Sequence, residues 1–331
     1  MHMIIYTVFS KATNLIQPMI KNLRSIKVQS WNTRKVPLVN RLRQEIESAR
    51  LTCSQSTTTN RITAVNALER FLREAMPGQA GMTAEAMTAE HVKAFERWAL
   101  DNGNKPGYVA LHMRNLRALT KRIRDDGSEL FRLVRTSNCQ AGKKAVSEET
   151  IRKIRQMPAA SPGDALARDV FLFCFYGMGI PLIDAVHMKK SQLRDGYITY
   201  YRHKTHRKVK VEVVPELREI LERLTPNDSP YLLPVLTTED NAGARRLYRS
   251  FYQKYSRSLA RLSHRIGMET RITSYTPRHS WASIAYRNSI DLNTIARALG
   301  HANTNVTMTY IREIEDSQLG SANRIVCDAI Q

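Results

Sequence analysis

At 331 residues the chain is long enough for two domains with a core each, and a hydrophobic fraction of 42% excludes a disordered chain. Its 51 Lys and Arg against 30 Asp and Glu give a formal net charge of +21, which predicts a polyanionic partner, nucleic acid first. Four scattered cysteines, Cys53, Cys139, Cys174 and Cys327, contain no CxxC pair and so exclude a disulfide framework or zinc ribbon. The apolar opening at residues 3–9 is too short to span a bilayer, so the expectation is a cytoplasmic protein with no membrane partner.

Residues 1–44 read as a basic N-terminal extension, either a DNA-clasping arm or a loosely ordered segment. Residues 45–126 read as a small helical module. Its first helix follows the capping side chains Thr58-Thr59-Asn60 and repeats Ile62, Val65, Leu68, Phe71 and Leu72 at helical spacing. After a break at Pro77-Gly78, a second helix opens at Thr88-Ala89-Glu90 and buries Val92, Phe95 and Trp98. A third carries Val109, Met113, Leu116, Leu119 and Ile123, with Arg114, Arg117, Lys121, Arg122 and Arg124 beside them as a basic face. Such a face is either solvated or a phosphate contact.

Residues 127–145 form a linker. The domain at 146–331 opens with a helix capped by Ser147. A helix over 169–176, apolar all round, implies burial; it stops at Gly177-Met178-Gly179, and Pro181 opens another. Period-two alternation over 197–203 and 208–214, joined at 204–207, predicts a β-hairpin. Helices follow at 215–224, within 242–267, at 279–288, and at 292–299 behind Asp291 with Gly300 as the stop. A short helix carrying Tyr310 and a polar tail over 316–330 complete the chain. The fold class is mainly α with a small β component.

The segment 274–310 gathers Arg278, His301 and Tyr310. A guanidinium can fork onto non-bridging phosphate oxygens, an imidazole can add a hydrogen bond, and a phenol oxygen can attack phosphorus. Taken locally, 292–310 also has the helix, glycine turn, helix spacing of a helix-turn-helix, a DNA reader without chemistry. A basic RNA-binding factor is disfavoured, because no strand is studded with aromatic residues for stacking on bases.

Thr276-Pro277-Arg278-His279-Ser280-Trp281-Ala282, Leu299-Gly300-His301 and Thr309-Tyr310 together resemble the signature of the tyrosine recombinases of the phage-integrase type. The likeness extends from about residue 45 to the end of the sequence. Residues 169–190 look most like integrases of Bacteroides-group mobile elements. The resemblance implies a helical core-binding domain followed by a mixed α/β catalytic domain. It also implies a site-specific recombinase that cleaves and rejoins double-stranded DNA through a 3′-phosphotyrosyl bond, assembled as a tetramer in synapsis. It places the nucleophile at Tyr310, the second catalytic arginine at Arg278, the box histidine at His301 and the lysine that protonates the departing 5′-oxygen at Lys204. Tyr275 takes a position usually held by histidine or lysine, and His279 and Trp281 are packing residues. No cofactor and no metal are implied, and the sequence contains no carboxylate cluster suited to two magnesium ions.

One position departs from the family. The first catalytic arginine is expected two residues after Phe175-Tyr176, where this chain has Met178. Arg168 lies ten residues upstream, roughly 15 Å away along a helix, and His187 is nine residues on. Losing such an arginine costs on the order of 10³–10⁵ in phosphoryl-transfer rate. The chain is therefore an active recombinase with a displaced or trans-supplied cation, a slow one, or a DNA-binding relative acting in synapsis or regulation.

Overall fold

The computed structural model of the chain describes residues 36–137, 145–301 and 303–308, with residues 324, 327 and 328. Two compact units divide it, Met1–Gln140 and Ala141–Gln331.

In the first unit, α1 (Leu38–Ser48), α2 (Gln55–Ala75), α3 (Ala89–Asp101) and α4 (Pro106–Ile123) enclose one core. Helix α1 begins inside the stretch read as a basic extension. Leu38, Val39, Leu42 and Ile46 all fall on its inner face and are buried. Four apolar positions among Arg41, Arg43 and Gln44 make a stripe too sparse to separate from a charged extension by composition. Helix α2 starts earlier than Thr58-Thr59-Asn60 predicts, because the Ser54 hydroxyl accepts from the Thr57 N–H at 3.2 Å. At its centre Phe71 is tilted against Phe95 and Trp98, and Phe95 stacks on Trp98, with ring centroids 5.5–6.0 Å apart.

The basic face of α4 is partly structural. Arg122 pairs with Glu45, and Arg124 binds Asp126 while donating to the Met87 carbonyl at 2.9 Å. Arg117 and Lys121 are exposed.

The second unit is built around α6 (Pro162–Tyr176), which α8 (Pro215–Leu224), α9 (Asn241–Arg265) and α10 (Thr276–Arg287) all pack against. Being surrounded explains why Val170, Phe171, Leu172, Phe173 and Cys174 are all buried, and why its sequence has no polar stripe. It starts at Pro162, seven residues before the apolar run, because the Ser161 hydroxyl caps Asp164 N–H at 3.2 Å. α5 (Glu148–Gln156) precedes it and α7 (Leu182–Val186) follows.

A three-stranded antiparallel sheet runs in the order β1 (Leu193–Arg194), β2 (Tyr197–Tyr201), β3 (Lys208–Glu212). The hairpin is the predicted one; β1 is additional. Asp195 (φ 51°) and Gly196 (φ 75°) form the left-handed two-residue turn that an Asp-Gly pair favours, and this folds Leu193 back onto Ile198. Register pairs Tyr200 with Val209, and Ile198, Tyr200, Val209 and Val211 face the core. α10 begins three residues before the predicted 279, with Pro277 in its first turn. α11 (Leu292–Leu299) is capped by Asp291, whose carboxylate accepts from Asn293 and Thr294 N–H at 2.9 and 3.0 Å, and it packs against β3. α12 (Thr304–Met308) follows. Of the stretch read as a linker, Leu130 and Phe131 are buried in the first unit's core; Tyr310, residues 1–35, residues 138–144 and most of the tail lie outside the described residues.

Phe95 is fully buried at the centre of the first unit. Phe95→Ala should lower that unit's unfolding free energy by about 3–5 kcal/mol in a denaturant titration followed by circular dichroism.

Candidate functional site

The carbonyl end of α11 is the foundation of the site. A helix leaves its last carbonyls without intrahelical partners, and here the turn between β2 and β3 supplies them. Arg202 Nη1 donates to the Leu299 carbonyl, Thr205 Oγ1 to the Gly300 carbonyl at 3.3 Å, and Arg207 Nη1 to the His301 carbonyl at 2.8 Å. Gly300 adopts φ 65°, and a Cβ there would sit 3.0 Å from Arg202 Cγ and from Val209 Cγ2. Only glycine allows the helix to end against the hairpin. Lys204, exposed at the tip of this turn, lies within electrostatic reach of His301.

Arg278 reaches the same end from α10. Its side chain is 2% exposed; Nη1 donates to the Gly179 carbonyl at 2.7 Å and Nη2 to the Leu299 carbonyl at 2.6 Å. Arg278 Nη2 also lies 2.9 Å from His301 Nε2. A guanidinium has no acceptor, so Nε2 carries the lone pair and the ring proton sits on Nδ1, 2.8 Å from Thr307 Oγ1. Gly179 is presented by a left-handed pair, Met178 (φ 60°) and Gly179 (φ 72°), and its missing Cβ would stand 3.0 Å from Arg278 Cα. Met178 is thus a non-glycine residue in a conformation costing about 1–2 kcal/mol.

The sequence reading did not select Arg202 or Asp184. Both are buried, with Arg202 Nε donating to Asp184 Oδ2 at 2.7 Å, and the other Asp184 oxygen accepts from His203 N–H at 2.8 Å. A signal was available: Arg202 follows Ile198 and Tyr200 in the alternation, so it falls on the core face of its strand. Neither Arg168 nor His187, the candidates near Met178 in sequence, is turned to this site. Arg168 is tied to Asp169 and to the Met157 carbonyl at 2.7 Å, while His187 Nδ1 is 2.8 Å from the Ile183 carbonyl.

Burial first, then the charges of Arg278, Arg202 and Lys204, push the His301 pKa down to about 3, so the imidazole is neutral. Tyr275 is 48% exposed at the entry to α10, its ring 6.3 Å from that of His279 and within electrostatic reach of Tyr248. Burial, then Tyr252 and Tyr275, raise Tyr248 to about 12, and burial raises Tyr200 further. Neither phenol is suited to ionise as a nucleophile. Trp281 packs with Ala282, Ala285, Ile295 and Leu299.

With Arg278 and His301 in contact and Lys204 on the adjoining turn, comparison with known proteins assigns the class. The phage integrase family profile matches residues 144–316, over half the sequence. The chain belongs to that family of DNA strand-transfer enzymes, the tyrosine recombinases. It is similar to tyrosine recombinase XerD of Brucella melitensis, 25% identical over 281 residues covering 76% of this chain and 88% of the relative. XerD of Listeria innocua is 22% identical over 236 residues, 68% and 78% of the two chains. In fold, the chain resembles a lambda integrase tetramer bound to a Holliday junction, with TM-score 0.62, 18% identity and coverage of 92% and 89%. The Tn1549 transposon integrase in complex with transposon right end DNA matches with TM-score 0.63, 11% identity and coverage of 88% and 100%.

Two measurements test the electrostatics. Asp184→Ala leaves the Arg202 charge buried without its carboxylate and should cost about 3–5 kcal/mol in unfolding free energy. Because the folded-state pKa of His301 is depressed, its contribution to stability is complete above the ordinary value of 6.5 and is lost as pH falls toward about 3. Over that window the melting temperature of wild type should fall more steeply than that of His301→Gln, as read by scanning calorimetry.

Proposed function

We propose that this chain cleaves and rejoins double-stranded DNA through a 3′-phosphotyrosyl intermediate on Tyr310. The observation that carries the reading is the contact of Arg278 with His301, 2.9 Å apart in a buried site overhung by the Lys204 turn. Donors fixed in a water-poor site meet charge on a phosphorane without reorganising, which is how such a site lowers a phosphoryl-transfer barrier.

In this mechanism Arg278 binds a non-bridging oxygen of the scissile phosphate, and His301, accepting from Arg278 Nη2, holds the guanidinium in place. The bond from Tyr310 Oη to phosphorus forms as the bond to the 5′-oxygen breaks; the phenol proton passes to water, and Lys204 gives the departing oxygen its proton. Attack by a 5′-hydroxyl reverses these changes and reseals the strand, so the covalent bond conserves the energy for religation. Tyr275 adds a hydroxyl at the edge of the site in place of a charged group. The formal charge of +21 supports DNA as the partner, with residues 45–126 as the core-binding domain and 146–331 as the catalytic domain. Arg117 and Lys121 are the α4 cations left exposed for phosphates. Four protomers pair two sites, as the lambda integrase tetramer does on its junction. The Phe175-Tyr176 to Asp184 segment favours an integrase of Bacteroides-group mobile elements, acting in the cytoplasm.

Met178 supports a second reading, a relative that binds and synapses DNA without cutting. Supercoiled plasmid relaxation and covalent trapping separate the two. The expected outcome is relaxation and a denaturation-resistant protein–DNA adduct with wild type, and neither with Tyr310→Phe. Tight DNA binding with no adduct from wild type would leave the binding reading.

A further inference from the structure

We infer that Arg202 is the second phosphate-clamping guanidinium of this enzyme, supplying from the β-hairpin the cation that Met178 does not. The inference rests on the recombinase reading above and specifies which residue completes its site.

Three observations converge on Arg202. Its Nη1 and Arg278 Nη2 donate to one and the same acceptor, the Leu299 carbonyl, so the two nitrogens are no further apart than two hydrogen-bond lengths. Asp184 offsets the charge of Arg202, which leaves one net positive charge on the pair of guanidiniums, and an anion bridging them meets it. Secondly, Arg202 is held rather than merely near. Asp184 grips Nε at 2.7 Å, Gly300 clears room for the side-chain stem, and Arg202 is 7% exposed. Its Nη2 makes no hydrogen bond among the described residues. A guanidinium whose Nε and Nη1 are anchored, with Nη2 left over, presents a fixed donor to a phosphate oxygen. Thirdly, the field of Arg202 reaches the reacting group's neighbours: with Arg278 and Lys204 it depresses His301.

At the Met178 turn, by contrast, the chain offers Arg278 the Gly179 carbonyl and no charge. Arg202 therefore stands where one oxygen of the scissile phosphate is bound by Arg278 and its partner oxygen by Arg202. No proton or electron moves through Arg202; it neutralises charge that builds on the non-bridging oxygens as the Tyr310–phosphorus bond forms.

The alternative is that Arg202 only braces the hairpin on α11, and the experiment is chosen to separate the two. Supercoiled plasmid is used to map a cleavage position, and a nicked duplex is built on it with either a phosphodiester or a neutral methylphosphonate at the scissile position. Full-length wild type is compared with Arg202→Gln, Arg202→Lys and the double variant Arg202→Gln with Asp184→Asn, which removes both charges of the buried pair. Melting and gel-shift measurements report folding and DNA binding. For both glutamine variants we expect wild-type-like DNA binding and a loss of adduct formation on the order of 10³-fold on the phosphodiester. On the methylphosphonate, which carries one charge fewer, the loss should shrink by at least an order of magnitude. Arg202→Lys should retain more activity than Arg202→Gln. Equal losses on the two substrates, or no loss on either, overturns the proposal and leaves Arg202 a brace. A wild type that binds DNA yet never forms an adduct defeats the recombinase reading itself, and with it this inference, before any Arg202 variant is consulted.

Discussion

The architecture of the second unit depends on how one helix ends. Leu299, Gly300 and His301 present three successive carbonyls at the C-terminus of α11, and the β2–β3 turn covers them with Arg202, Thr205 and Arg207. The partial negative charge of a helix C-terminus favours cations there, so the same contact that completes the helix also concentrates positive charge. Lys204 rides on that turn, His301 follows the capped carbonyls, and Arg278 shares the Leu299 carbonyl from another helix. A single docking thereby assembles groups separated by as much as a hundred residues in the chain.

Holding several cations in a buried place is costly, and the structure shows how the cost is contained. Asp184 neutralises Arg202 and steadies the turn through the His203 N–H. His301 remains uncharged, its lone pair turned to Arg278 and its proton to Thr307. Glycines at 179 and 300 let backbone approach guanidinium stems that a Cβ would displace. What results is a set of donors already oriented and largely dehydrated before an anion arrives, the arrangement that makes hydrogen bonds to a developing phosphorane effective.

The same economy governs the first unit on a smaller scale. Arg122 and Arg124 were candidates for phosphate contact by composition, yet they tie α4 to Glu45, to Asp126 and to the loop carbonyl of Met87. Charge counted along a sequence overstates the charge available to a partner, because arginine is also the side chain best able to bridge carbonyls and carboxylates.

The sequence by itself determined the mainly helical class, the buried helix before Gly177, the hairpin, the Asp291 and Gly300 limits of α11, and Arg278 and His301 as members of one site. Those features are written in local periodicity, in capping side chains and in a motif, all of which act over a few residues. Helix α1 and strand β1 escaped, since a sparse apolar stripe among arginines and a two-residue strand carry little periodicity of their own. Only the tertiary structure decided that Arg202 faces inward onto the Leu299 carbonyl, that Asp184 anchors it, and that Arg168 is engaged elsewhere. A guanidinium's role is set by the acceptors within hydrogen-bond reach, and those acceptors come from distant parts of the chain.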